Sequence, residues 1–265
     1  MRFKVTFNIN AGGKLLPFNY QYYISAWIYK VIGSADKDFA DFLHNEGFRD
    51  GNKKFKLFNF SPLNFGKPRI LKEKGLFEIY STHLTLHLSF LLSDAAEVFI
   101  IGLFKYQEAY IGDSVNGLDL KVTQIERLPD IELSETMYYR TLSPVVLSYQ
   151  YPGWTYASYL SPKDEKYTRL LYNHFMNKYL AVPNASPLPD SFPFRFKLTG
   201  TPRSKLATIK QGTPEQSKIR GYLFDFELTA PYEIHNLMLS CGAGEKNSVG
   251  FGWVEVYNHP DISAR

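Results

Sequence analysis

Phe3, Val5, Phe7 and Ile9 take every second position at the start of the chain, and polar residues fill the gaps. That period of two predicts a strand with one buried face. The pattern then changes. From Asn19, which reads as an N-cap, Tyr20, Tyr23, Ile24, Trp27, Ile28 and Val31 recur at helical spacing, predicting a helix to Ile32 with Gly33 as its stop. A short helix over 36–43 delivers His44, strands follow at 55–60 and 76–82, and 83–91 alternates again. Ser93 is placed to cap a helix over 94–104, after which 106–112 and 118–128 read as strands. This is the βαββαβ order of a ferredoxin-like unit.

The same order recurs beyond a polar, strand-poor stretch. Residues 137–149 read as a strand, and Ser161-Pro162-Lys163-Asp164 opens a helix with Pro at its first position. Residues 194–201 and 205–210 are expected to form a basic hairpin, and 220–230 is a further strand. Ile234, Leu237, Met238 and Cys241 mark a last helix, and Phe251–Tyr257 alternates as the last strand. The expectation is therefore an α+β protein of two tandem ferredoxin-like, RRM-like domains. Residues 1–128 form the first, 129–136 the linker and 137–265 the second.

The chain is 265 residues long with 45% apolar residues, enough for two cores, and this excludes a disordered chain. A single cysteine, Cys241, excludes an internal disulfide framework. The Met1-Arg-Phe-Lys start lacks an apolar signal segment, and the apolar run 90–104 is interrupted by Ser93, Asp94 and Glu97. The cytoplasm is the expected compartment and no membrane is expected as a partner.

The formal charge of +4 is too small to prove a polyanionic partner, but it is unevenly placed. Arg49, Lys53, Lys54, Lys56, Lys67, Arg69, Lys72 and Lys74 face only Asp50 and Glu73 within their window. Arg195, Lys197, Arg203, Lys205, Lys210, Lys218 and Arg220 face only Glu215 in theirs. Basic stripes interleaved with aromatics suit single-stranded nucleic acid.

Between the last helix and last strand lies Gly242-Ala-Gly-Glu-Lys-Asn-Ser-Val-Gly-Phe-Gly252. Its glycines allow left-handed dihedrals and close approach of another backbone. The order is helix, loop, strand, the reverse of a P-loop, so the helix dipole opposes phosphate here. Attraction to an anion must come from Lys246, from Asn247 and Ser248, and from the bare amides of Gly242, Gly244, Gly250 and Gly252.

Together with Leu142-Ser-Pro-Val145, Asn19-Tyr-Gln-Tyr-Tyr-Ile-Ser-Ala-Trp-Ile-Tyr29, Phe42-Leu-His44 and Phe55-Lys-Leu-Phe-Asn-Phe-Ser61, this loop resembles the CRISPR-associated repeat-cleaving endoribonuclease. That is the sixth Cas family, within the repeat-associated proteins built on RNA-recognition-like folds. The resemblance implies cleavage of CRISPR precursor RNA within each repeat, without metal or cofactor, leaving a 2′,3′-cyclic phosphate and a 5′-hydroxyl. It also implies catalytic roles for Tyr29, His44 and Lys56.

The chemistry is consistent with those residue types. A 2′-hydroxyl attacking its own phosphate needs its proton removed, the departing oxygen protonated and the phosphorane charge neutralised. Histidine, with an ordinary pKa of about 6.5, suits either proton task, and lysine suits the charge. Tyrosine orients or donates, but with an ordinary pKa of about 10 it is a poor unaided base.

Asn45–Lys54 is a longer basic loop than the family's shorter members carry, so Lys53 or Lys54 stands as an alternative to Lys56. Lys53, Lys54, Arg195, Lys197, Arg203 and Lys205 are expected to contact RNA. Taken singly, each catalytic candidate has an ordinary explanation: a helix-terminal histidine, a core tyrosine, a solvated strand lysine. Only their joint occurrence singles them out.

His83 and His87 have helical ligand spacing inside an alternating strand, so no metal site is expected, and His174, His235 and His259 show no evident partners. The partner implied is CRISPR repeat RNA, with a multisubunit interference complex left open. The alternative reading is a non-catalytic RNA-binding subunit of such a complex.

Overall fold

The computed structural model describes residues 1–10, 14–210 and 214–257; the turn expected at Gly12–Gly13 and His259 lie outside them. The first sheet runs in the order Phe58–Phe60, His83–Phe90, Arg2–Ile9, Gly117–Arg127, Glu108–Gly112, with every neighbour antiparallel. With the edge strand Glu108–Gly112 left out of the count, the other four lie second, third, first, fourth in chain order. The second sheet repeats that order with Arg195–Leu198, Asp225–Thr229, Thr136–Thr141 and Val254–Val256. Both halves are thus ferredoxin-like. Residues 128–135 between them form neither helix nor strand.

The helices Gln21–Ala35 and Ser93–Lys105 belong to the first half, where Trp27 packs edge-on against Phe7 at 5.4 Å and Phe99 at 5.9 Å. Tyr167–Leu180 and Tyr232–Cys241 belong to the second, where Tyr167 meets Phe196 at 5.2 Å. The Trp27 contacts come from the apolar stripe predicted for the first helix.

Several expectations need correction. Gly33 lies inside the first helix, which continues to Ala35. The stop is Asp36, whose extended backbone breaks the helix while its carboxylate accepts from Phe39 N at 2.9 Å and caps the next one. Tyr20, with no side-chain cap bond, occupies the cap position expected for Asn19. The strand expected over 137–149 ends at Thr141, because Leu142 N and Ser143 N both turn to the Trp253 carbonyl.

The hairpin also differs. Arg195–Leu198 pairs with Asp225–Thr229 as a sheet edge, because Phe196 and Leu198 pack against the second core. The hairpin is instead Arg203–Ile209 with Ser217–Leu223, so the strand expected over 220–230 is split at Phe224. His235 does have partners: its Nδ1 meets the Tyr139 hydroxyl at 2.7 Å and its Nε2 meets the Glu135 carbonyl at 3.1 Å.

One break governs how the halves join. Leu57, at φ 54°, divides the strand expected over 55–60 into Lys53–Phe55 and Phe58–Phe60. Phe55 and Leu57 are buried in the second core, whereas Phe58 and Phe60 fill the first. A left-handed leucine costs about 1–2 kcal/mol, and burying its side chain returns about 1.5–3 kcal/mol. Burial wins, and this segment straddles both cores.

Phe55→Ala is expected to destabilise the protein by about 3–5 kcal/mol in urea unfolding. A loss below about 1 kcal/mol would show that Phe55 does not anchor the junction.

Candidate active site and nucleic-acid interface

Tyr29 sits on the helix Gln21–Ala35, one turn after Ser25. Its ring lies 5.8 Å from Phe58 and, edge-on, 5.2 Å from the His44 imidazole. Burial pushes its hydroxyl up to about 12 despite a hydrogen bond with the Ser248 side chain. Ser25 Oγ donates to the Ser248 carbonyl at 2.7 Å. The first helix therefore grips one residue of the glycine loop at two points.

His44 lies on a wide helical turn, Phe42–Glu46, that ends at Gly47 with φ 66°. A Cβ there would lie 2.6 Å from the Phe55 carbonyl oxygen and 3.2 Å from Lys56 Nζ. Only glycine permits this approach. It lets Lys56 Nζ donate to the His44 carbonyl at 2.9 Å. The exposed imidazole has its Nδ1 3.1 Å from Asn45 Oδ1. An Nδ1–H donated there leaves Nε2 with a lone pair for a proton.

Tyr29, His44 and Lys56 are thus brought together from a helix, a turn and the break between two strands. Partial burial lowers the Lys56 ammonium to about 8, and the charges of Lys54 and Arg49 add to this. Lys54 donates to the Asn45 carbonyl at 3.1 Å, beside the same turn, and Arg49 pairs with Glu46. Lys53 faces elsewhere, lining a cleft of about 270 Å³ with Ser148, Asn173, His174, Asn177 and Glu245.

The glycine loop is largely internal. Gly242, Gly244, Gly250 and Gly252 are buried, Lys246 is exposed, and Ser248 is partly buried. Asn247 turns inward, with Nδ2 donating to the carbonyls of Ala243 at 3.1 Å and Phe251 at 3.0 Å. Gly252, at φ 75°, is one residue where the loop requires glycine, since a Cβ would lie 2.0 Å from the Ala243 carbonyl oxygen. Leu142–Val145 lies against the loop, with the Pro144 carbonyl accepting from Gly252 N at 2.9 Å. Two motifs a hundred residues apart in sequence form one body.

Beneath the loop lies a residue that the sequence reading missed. Lys178, only 2% exposed, donates to the Gly242 carbonyl at 2.9 Å, the Gly244 carbonyl at 3.3 Å and Asn247 Oδ1 at 2.8 Å. Burial lowers it to about 8. Its signal was position: three residues after Phe175 and seven after Leu171, it falls on the buried stripe of its helix.

A larger cleft, of about 920 Å³, borders the loop at Val249, Gly250 and Phe251. Tyr22, Tyr23, Lys72, Lys74, Lys205 and Gly250 are among its lining residues. Of the hairpin cations, Lys205 faces this cleft, while Arg203 is exposed at the hairpin's first position. Arg195 and Lys197 are exposed on the edge of the second sheet.

Lys178→Met leaves those loop acceptors without a donor, at about 1–3 kcal/mol each. Amide-exchange protection over residues 242–252 is expected to fall about tenfold or more, with the first sheet unchanged. Unaltered loop protection would remove Lys178 from this role.

Comparison with known proteins identifies the family. Residues 15–118 match the model for the N-terminal part of the CRISPR-associated protein Cas6, and residues 126–256 match the model for its C-terminal part. The CRISPR-associated endoribonuclease Cas6 1 of Methanocaldococcus jannaschii is 27% identical over 91% of this chain and 87% of its own length. The CRISPR-associated endoribonuclease Cas6 of Pyrococcus furiosus is 25% identical over 91% and 83%. A solved structure described as a RAMP protein binding different RNA substrates superposes with a TM-score of 0.80 at 25% identity, covering 97% of this chain and 100% of that one. With both halves matched in order and the fold shared, the chain belongs to the CRISPR-associated Cas6 family.

Proposed function

We propose that the protein is an endoribonuclease that cleaves CRISPR precursor RNA within its repeats, without a metal ion. The products are an upstream fragment ending in a 2′,3′-cyclic phosphate and a downstream fragment with a 5′-hydroxyl. The supporting observation is the convergence of Tyr29, His44 and Lys56, with the lysine ammonium on the histidine carbonyl and the phenol ring 5.2 Å from the imidazole. Family membership gives that cluster its substrate.

His44 Nε2 takes the proton of the ribose 2′-hydroxyl as that oxygen attacks phosphorus. The bond from phosphorus to the 5′-oxygen breaks, and the leaving oxygen receives the Tyr29 proton. An alkoxide is more basic than a phenolate, so a phenol held near 12 still protonates it. The imidazolium then returns its proton to the tyrosinate, and no net proton is consumed. Lys56 neutralises the phosphorane; at about 8 its ammonium remains mostly protonated at neutral pH. The cleft carrying Lys72, Lys74 and Lys205 binds repeat RNA by its phosphates and stacks unpaired bases on Tyr22 and Tyr23.

His44→Ala is expected to abolish cleavage of labelled repeat RNA in single-turnover assays while RNA affinity stays within a few-fold. Undiminished cleavage would remove His44 from the mechanism. Repeat RNA bound but left intact by the unaltered protein would favour the non-catalytic subunit.

Because Lys56 loses its charge as pH rises through about 8, kcat/KM should fall on that side. In Lys56→Arg the charge persists, so that descent should vanish. An identical alkaline limb in both proteins assigns it to another group.

A further inference from the structure

The cleft around Lys53 and the aromatic tongue beside it are not used by the proposed reaction. The tongue is the hairpin between Ser148–Tyr149 and Ser158–Tyr159, which pair antiparallel. Its tip is Tyr151-Pro-Gly-Trp154, with Trp154 N donating to the Tyr151 carbonyl at 3.0 Å. Proline followed by a glycine at φ 80° makes this a tight, well-defined turn. The turn presents aromatic faces rather than burying them.

Tyr149 meets Tyr151 at 4.7 Å, and Tyr151 meets Trp154 at 5.3 Å. Trp154 is 60% exposed and Tyr156 82% exposed. Lys166 Nζ lies 4.4 Å from the Tyr151 ring centroid and 5.0 Å from that of Tyr149. From Leu147 to Lys163 the chain carries no acidic residue.

Lys166, Leu170, Asn173 and Asn177 follow one another at three- and four-residue steps, on one face of the helix Tyr167–Leu180 and the residue before it. Leu170, Asn173 and Asn177 line the cleft of about 270 Å³ opposite Lys53. The side-chain amides of Asn173 and Asn177 hold no hydrogen bond to another described residue. Glu245, the acidic residue lining the cleft, is occupied by Ser148 N at 2.8 Å and Ser148 Oγ at 2.9 Å. Lys53 is followed by Lys54, which is bonded to the residue after His44. Lys53 and Lys54 alternate on the two faces of their strand, so Lys54 meets the turn while Lys53 faces the cleft. From that cation and the two free amides the surface continues along Ser148 and Lys166 to a ladder of open aromatic rings.

From this continuity we infer that the cleft and tongue form a second RNA-binding track, which holds the unpaired strand leaving the cut on one side of the scissile phosphate. The inference rests on the nuclease reading above and deepens it. Lys53 contacts a phosphate. Asn173 and Asn177, each offering a donor and an acceptor, meet the edge of one base. Tyr151, Trp154 and Tyr156 stack the bases beyond, and Lys166 adds positive charge behind the rings. A protein partner would also seek exposed aromatics, but the free amides beside Lys53 and the Lys166 cation behind the rings match nucleic acid.

The test uses the full chain and repeat RNA made uncleavable by a 2′-deoxy nucleotide at the cut, with natural flanks on both sides. Two further RNAs end one nucleotide past the cut, one on each side. Trp154→Ala combined with Tyr151→Ala should weaken binding of the full RNA by about ten- to a hundredfold. It should not weaken binding of whichever truncated RNA lacks the track's strand. Thermal melts control for folding, and Asn173→Ala combined with Asn177→Ala should relax base preference at a single position.

Unchanged affinity of the Trp154/Tyr151 variant for the full RNA overturns the track. So does an equal loss on both truncated RNAs, which would report altered folding. Loss of a co-purifying protein with RNA affinity intact assigns the tongue to a protein partner instead. If the unaltered protein binds none of these RNAs, the nuclease reading fails and the track fails with it. If that protein binds and cuts repeat RNA while the variants match it, only the track fails.

Discussion

The ammonium of Lys178 is the contact from which the site's geometry follows. A lysine taken out of water costs several kcal/mol unless its protons are met, and here they are met by two glycine-loop carbonyls and the Asn247 side chain. The same bonds fix the loop. Asn247 then ties the loop's two arms together, and Ser248 is left facing the first half, where Ser25 and Tyr29 hold it. The chain's glycine-rich signature thus acts first as an internal scaffold. It presents Lys246 to solvent and Val249, Gly250 and Phe251 to the larger cleft.

That scaffold links the two sheets to the chemistry. Tyr29 is oriented from the second half, whereas His44 and Lys56 are positioned within the first through Gly47. The kinked segment 53–60 joins the two sets by burying Phe55 and Leu57 in one core and Phe58 and Phe60 in the other. Lys56 sits between these anchors, partly buried, which explains its lowered proton affinity. A nucleotide at this site would therefore meet a phenol, an imidazole and an ammonium carried on three different local structures but locked by one interface.

Much of the fold was legible because alternation and helical spacing report burial directly: the strand at Phe3–Ile9 and the helix stripe around Trp27 lie where their periods placed them. The kink at Leu57 was not legible, since nothing in a run of apolar residues says which core each will enter. The hairpin was misassigned because Arg195–Leu198 carries the charge of a surface ribbon but also Phe196 and Leu198, whose burial made it a sheet edge. Lys178 was passed over because lysine usually faces solvent, although its helical phase already placed it inside. The triad was legible through the family resemblance and the joint occurrence of its members, whereas the contact between Lys56 and the His44 turn depends on Gly47, whose role no local pattern announces.

The central claim is that the cluster of Tyr29, His44 and Lys56 directs a ribose 2′-hydroxyl against its neighbouring phosphate. Mass spectrometry of the upstream fragment, after incubation of repeat RNA with the protein in excess EDTA, tests it most directly. The account predicts a 2′,3′-cyclic phosphate terminus, and no product when the nucleotide at the cut lacks its 2′-hydroxyl. A 3′-hydroxyl terminus, or cleavage of the 2′-deoxy substrate, would contradict it.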